Sequence, residues 1–298
     1  MNKSILGMKE LLLTNGYNSV KDIIQIVDLE LDKQYEAFVF NSSEGKFVIK
    51  KVYSDYELKI YKLLNNRGIK NIPQTYKHVL DKDNCFWLIT TFLDGCLCIN
   101  KDIFTYLEIV KELAYIHNKF LNDNAFEQDH KFIRNQTKNF QEKYDKVKNM
   151  KVSEKYMLNQ KMLNNIDLVI KRIKRGPKTL LHNDFLPINV IKVNSTVNII
   201  DWEVSSIGFY TIDLARLLGD YKNIYGSHWV NHEWESIIIK KYYNELYKYG
   251  KYNKTFQRFL IDYDISKKIN YIGIVLAHII NNWEVSDWYL LNYSAILE

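Results

Sequence analysis

Between residues 35 and 92 apolar and polar positions alternate in four short runs. Tyr35–Phe40 and Lys46–Val52 are rich in β-formers and flank Asn41, Ser42, Ser43, Glu44 and Gly45, a loop composition that predicts an antiparallel hairpin. Tyr76–Leu80 and Phe86–Phe92 flank Asp81, Lys82, Asp83 and Asn84 and predict a second hairpin. Between the two, the period changes. Leu58, Tyr61 and Leu64 or Leu63 are spaced for one buried helical face, Ser54 stands where an N-cap is wanted, and Gly68 followed by Pro73 ends the segment. After Asp94 and Gly95, the expected hinge, helical spacing dominates. Ile103, Phe104, Leu107, Val110, Leu113, Ala114 and His117 recur at steps of three and four and predict an amphipathic core helix. Residues 122–178 are polar, Lys-rich and of helical propensity, and Gly176 and Pro177 close them off. Two β runs lie between Thr179 and Trp202, and aromatic-rich helices follow. The pattern predicts an α+β chain of two lobes: residues 1–95 around a small antiparallel sheet, and residues 96–298 mostly helical.

Composition narrows the function classes. With 47% hydrophobic residues, 3 Pro and 11 Gly in 298 residues, the chain is neither disordered nor fibrous. A net charge of +6 invites a polyanionic partner, but only six of the 41 basic residues are Arg and the Lys are scattered, so no nucleic-acid partner is expected. The three cysteines, Cys85, Cys96 and Cys98, are too few and too crowded for a disulfide framework and read as reduced thiols. The apolar stretch near the N-terminus is interrupted by Lys9 and Glu10 and lacks a small-residue cleavage site, and no run is long enough to span a bilayer. A cytoplasmic location without membrane association is expected, and no feature indicates a protein partner.

The chemistry concentrates in one segment. His182-Asn183-Asp184-Phe185-Leu186-Pro187-Ile188-Asn189 is followed by the apolar run Val197–Ile200, which ends in Asp201, twelve residues after Asn189. Phosphoryl transfer needs a carboxylate to orient or accept the proton of a hydroxyl, and hard oxygen ligands for the Mg²⁺ that bridges nucleotide phosphates. Asp184 suits the first task; Asn189 and Asp201 suit the second.

In these residues the chain resembles the aminoglycoside phosphotransferase and choline kinase family of small-molecule kinases. Pro187, Asn189, the Asp-Trp-Glu of Asp201, Trp202 and Glu203, the Asp-Leu-Ala of Asp213–Ala215, and Leu113-Ala114-Tyr115-Ile116-His117 carry the likeness in the family's order. Asn183 stands where the family commonly has Gly. The resemblance implies a protein-kinase-like fold, an ATP- and Mg²⁺-dependent transfer to a hydroxyl, a bracing role for His182, and an anchoring role for Asp213. It also implies a nucleotide side in the first lobe. Alternation in Phe47-Val48-Ile49-Lys50-Lys51 makes Lys50 the phosphate ligand, with Lys51 pointing away, and Glu57 its acidic partner, Asp55 being the substitute. The linker Thr91, Phe92 and Leu93 is expected to offer backbone groups to adenine. The stretch from Leu31 to Glu36, which would cover the phosphates, has no glycine, a departure that disfavours a protein kinase. So does the short span between Asp201 and Asp213, which leaves no room for a peptide-binding activation segment.

For the acceptor, Trp229, Trp234, Trp283 and Trp288 are interleaved with Glu233, Glu235, Glu284 and Asp287. Aromatic faces with carboxylates suit a cation. The expected substrate is therefore a small amine-bearing alcohol such as choline or an aminoglycoside, with Glu203, Trp283, Glu284 and Asp287 as candidate contacts. The alternative is a catalytically silent relative serving as a binding or spore-coat-type structural protein.

Overall fold

The computed structural model describes residues 3–28, 33–123, 130–150, 160–219 and 230–284. In chain order the elements are α1 (Lys3–Thr14), β1 (Lys21–Asp28), β2 (Lys33–Ser42), β3 (Gly45–Val52), α2 (Tyr56–Asn66), β4 (Thr75–Leu80), β5 (Phe86–Thr91), β6 (Cys96–Leu97) and α3 (Ile103–Phe120). There follow α4 (Gln136–Lys148), α5 (Gln160–Arg175), β7 (Lys178–Leu181), β8 (Val190–Val193), β9 (Thr196–Ile199), β10 (Ser206–Phe209), α6 (Ile212–Leu217), α7 (Glu235–Lys248) and α8 (Phe256–Asn281). Two compact units form, one from Met1–Leu97 with Val190–Glu203, the other from Cys98–Asn189 with Val204–Glu298. Where the sequence suggests a single cut after residue 95, the units interleave, because β8 and β9 pair with each other and β8 pairs with β6 of the first unit.

In the first unit both predicted hairpins form, inside an antiparallel sheet of order β1-β2-β3-β5-β4. Alternation sorts its side chains. Phe38, Phe40, Phe47, Ile49, Trp87 and Ile89 cluster with Met8 and Leu12 of α1 and with Tyr17, all buried. Each such side chain contributes roughly 1.5–3 kcal/mol by leaving water. Lys50, in register with Ala37 and Leu88, belongs to the opposite pleat. Lys51 instead shares the α1 side and pairs with Glu36 at 2.8 Å. Neither α1 nor β1 is evident from the sequence pattern. A Cβ at Gly95 would collide with the Lys192 carbonyl and the Ile191 side chain, so the expected hinge glycine is fixed by close packing of β6 on β8. Ile199 N–H, at the end of β9, donates to Asn71 O at 3.0 Å.

In the second unit α3 is capped by Asp102, whose carboxylate accepts from Thr105 N–H at 2.9 Å. It buries Val110, Leu113, Ala114 and His117 as the spacing predicts, but Phe104, counted on that face, is 75% exposed. α7 packs on α3, and α8 packs on α4 and α6. The fully buried Asp262 of α8 is ion-paired with Arg172 of α5 and accepts from Tyr210 O–H at 3.1 Å, joining two helices and the segment after β10. Among the described residues no helix is long and apolar enough to cross a membrane, and the three cysteines are free thiols.

Candidate active site

Within the first unit the side chains of Lys50, Glu57, Asp201 and Glu203 form one charged cluster. Lys50 Nζ lies 2.8 Å from Glu57 Oε2 and 2.7 Å from Asp201 Oδ1. Glu57 is reached because Asp55 and the first turn of α2 bring the helix in directly after β3; Asp55 itself pairs with Lys59, so Glu57 is the partner. Glu57 is 1% exposed, and burial pushes its carboxyl up to about 7, against the pull of Lys50 and with help from Asp201. Burial alone would depress the Lys50 ammonium, but the two carboxylates outweigh it and hold the group above its ordinary range. Asp201 sits at φ +64°, a left-handed conformation that Asp tolerates, and its N–H donates to the buried Tyr61 hydroxyl at 3.3 Å. Carboxylate oxygens of Glu57, Asp201 and Glu203 lie within 4.8 Å of one another, a hard-oxygen set that fits a divalent cation.

In the second unit the segment 182–189 is held from below. Asp213, fully buried in the first turn of α6, accepts from His182 N–H at 2.7 Å and from Asn183 N–H at 2.8 Å. His117 Nε2 reaches the same carboxylate at 3.1 Å, and its Nδ1 meets the Tyr242 hydroxyl at 2.7 Å. Two motifs far apart in sequence, Leu-Ala-x-x-His and Asp-Leu-Ala, thus meet under the loop. His182 is buried edge-on to the Phe185 ring.

Asn183 explains its own departure from the family pattern. Its φ is +67°, where glycine is the default and Asn among the best tolerated alternatives. Its amide Nδ2 donates to Val204 O and Ser206 Oγ, both at 2.7 Å, and straps the loop to β10. Asp184, next in sequence, is 38% exposed. Asn189 Nδ2 donates to its carbonyl at 2.8 Å and to its Oδ2 at 3.2 Å, while Arg216 Nη2 sits 2.9 Å from Oδ1. Arg216 escapes the motif reading, although it lies one helical turn after Asp213 and so must face the same loop.

The model of the phosphotransferase enzyme family, APH, matches residues 38–238. The chain belongs to that family. Among solved structures, this phosphotransferase is similar to aminoglycoside 2′-phosphotransferase-IIIa in its GDP complex, with a TM-score of 0.66 and 12% identity over 100% of this chain and 97% of that one. It is also similar to a choline kinase from Streptococcus pneumoniae (TM-score 0.64, 15% identity, 99% and 98% covered) and to an ethanolamine kinase from Plasmodium vivax (0.63, 16%, 94% and 81%). At such identities the likeness is one of fold, and the fold is kinase-like. No curated protein matches the sequence.

Of the expected acceptor contacts, Glu203 belongs to the first unit and Trp283 and Glu284 to the second. Trp283 is 58% exposed just beyond α8, edge-on to the His278 ring, and Glu284 is exposed beside it. Trp234 lies 6.2 Å from the Tyr106 ring, and Glu203 belongs to the cluster of the first unit. Trp229, Asp287 and Trp288 lie outside the described residues. A cavity of about 350 Å³ in the second unit is lined by Asn183 and Arg216 and by residues of α4 and α8. A larger one, about 700 Å³, lies between α1 and the sheet face turned away from Lys50 and touches none of the cluster's residues.

Proposed function

We propose that the protein transfers the γ-phosphoryl group of ATP to a hydroxyl of a small molecule, with Asp184 as the group that orients that hydroxyl and takes its proton. The observation that carries this reading is the Asp184 carboxylate held by Asn189 and Arg216, in a loop whose backbone hangs on buried Asp213. Preorganised positioning supplies most of the catalysis in phosphoryl transfer, because the transition state asks for little covalent chemistry from the protein. Lys50 would hold the nucleotide phosphates and Glu57 would keep Lys50 in place. Asp201 and the carbonyl oxygen of Asn189 would ligate Mg²⁺, which when bound neutralises charge on the phosphates. Thr91 N–H and Phe92 N–H donate to Gln74 O and Lys46 O, so among the linker N–H groups Leu93 would be the one to donate to adenine, with the carbonyls of Thr91 and Phe92 as the acceptors on offer. The three free thiols suit a reducing compartment such as the cytoplasm.

The silent alternative draws on two departures from the family pattern, and Asn183 no longer supports it, since its backbone has the conformation the glycine would adopt. Titration with ATP and Mg²⁺ tests the reading directly. A nucleotide that binds the native state raises Tm by mass action, and wild-type protein should show that rise. Absence of any shift with ATP or GTP would remove the enzyme reading and favour the silent one.

A further inference from the structure

By its spacing Tyr61 is one of the apolar positions of α2, yet its hydroxyl has a task that a core residue does not need. The residue is 2% exposed, and its oxygen accepts from Asp201 N–H at 3.3 Å. Glu57 lies one turn earlier on the same helix. One face of α2 therefore presents both the carboxylate that pairs with Lys50 and the hydroxyl that meets Asp201. From this we infer, resting on the kinase reading above, that Tyr61 is a positioning residue for the metal-binding carboxylate of Asp201.

The backbone at Asp201 has to be held. Its φ of +64° is one that glycine adopts freely and other residues at a cost, and such conformations persist where the surroundings fix them. The chain is tied down just before this point: Ile199 N–H donates to Asn71 O at 3.0 Å, and the buried Trp202 donates through Nε1 to Ile199 O at 3.3 Å. Tyr61 adds a tie at Asp201 itself. Lys50 Nζ reaches the Asp201 side chain at 2.7 Å, but nucleotide phosphates would compete for that ammonium. A neutral hydroxyl on a backbone N–H stands outside the competition. Asp201 thus keeps a fixed backbone when its ion pair with Lys50 is exchanged, and its carboxylate stays on a carbon that cannot swing away. Hydrogen-bond partners that orient a metal ligand without touching the metal are typically worth about 10–100-fold in metal affinity or activity.

Tyr61→Phe tests the inference, since it removes the oxygen and keeps the ring. With Mn²⁺ as the probe metal, its binding to full-length protein and ADP is followed by electron paramagnetic resonance. The substitution should raise the Mn²⁺ dissociation constant about 10–100-fold and leave the affinity for metal-free ADP near the wild-type value. Tyr106→Phe is the control: it removes another buried hydroxyl, one that donates to Cys98 O at 3.2 Å, and should leave Mn²⁺ binding unchanged. Hydrogen exchange of the Asp201 amide in the wild-type protein, which depends on no variant folding, should be slow. Wild-type protein that binds no Mn²⁺, Mn²⁺ binding unchanged in Tyr61→Phe, an equal loss of metal-free ADP affinity, an equal effect of Tyr106→Phe, or an Asp201 amide that exchanges like an exposed one would overturn the inference. The kinase reading fails separately, when wild-type protein shows no Tm shift with ATP or GTP.

Discussion

The two charged centres are held by opposite means. Lys50 is held by two ion pairs, and two of the groups involved are open to solvent: the Lys50 side chain is 23% exposed and that of Asp201 46%. Around the loop 182–189, Asp213 and His117 are almost wholly buried, and the anchors are backbone N–H groups with no alternative partner in solvent. The first arrangement can exchange partners: a phosphate that reaches Lys50 replaces one carboxylate by another anion. The second cannot, because each donor to Asp213 would be left unsatisfied in the interior. The lesson is that the ligand-facing half is built to be rearranged, while the proton-handling half is built to stay where it is.

That contrast can be broken at its strongest point first. Asp184→Ala should cost about 10²–10⁴-fold in kcat, the usual worth of a positioned general base, while ATP binding by calorimetry persists; a turnover close to wild type would remove Asp184 from the chemistry. Asp213→Ala should destabilise the protein by about 3–5 kcal/mol, as buried ionic partners do when one is removed, visible in chemical denaturation. Asp213→Asn should recover part of it, and a near-neutral alanine variant would show that the loop is not anchored as described. Lys50→Ala should raise the ATP KM about 10–100-fold, the value of one or two charge-assisted hydrogen bonds, with a smaller loss of unfolding free energy than Asp213→Ala, because Glu57, with its carboxyl already pushed up to about 7, can take up a proton when its cation is removed. A large loss of stability there would erase the distinction between the two centres.

The smallest effect is one of pH. Burial raises the Glu57 carboxyl from 4.5 to about 7, so between those values the folded protein binds a proton that the unfolded chain releases. The contribution of Glu57 to stability therefore falls as pH rises through that window and is constant above it. Glu57→Gln should flatten this part of the pH–stability curve of the metal-free protein; a curve unchanged by the substitution would show that Glu57 ionises normally.

Much of the fold was legible because packing and pattern agree. The β2–β3 hairpin alternates cleanly, β4–β5 does so after a register shift between Thr75 and Lys77, and the short run from β3 into α2 left Glu57 in the first turn of the helix. β1 was not legible. Ile24 and Val27 are exposed and the β1–β2 register is irregular, so its apolar residues do not fall on one face. α1 was hidden for the related reason that Leu6 and Leu13 are exposed while Met8 and Leu12 are buried, which blurs the stripe. In the site, acids announced themselves by motif, whereas Tyr61, Arg216 and Tyr242 act through positions that only the packing reveals. The Trp-and-acid reading drew on nearness in sequence, and Trp283 and Trp234 belong to different helix ends.

Position 183 bears on how such chains are recognised at all. A pattern demanding glycine between the histidine and the aspartate passes this sequence over, although the backbone there is the one glycine would supply. Written as a torsion angle, the requirement admits Asn as readily, and Asn brings two hydrogen bonds that glycine cannot make. Drift at this site is then an exchange of freedom for a strap, open to divergent lineages whose letters no longer match while the loop keeps its shape.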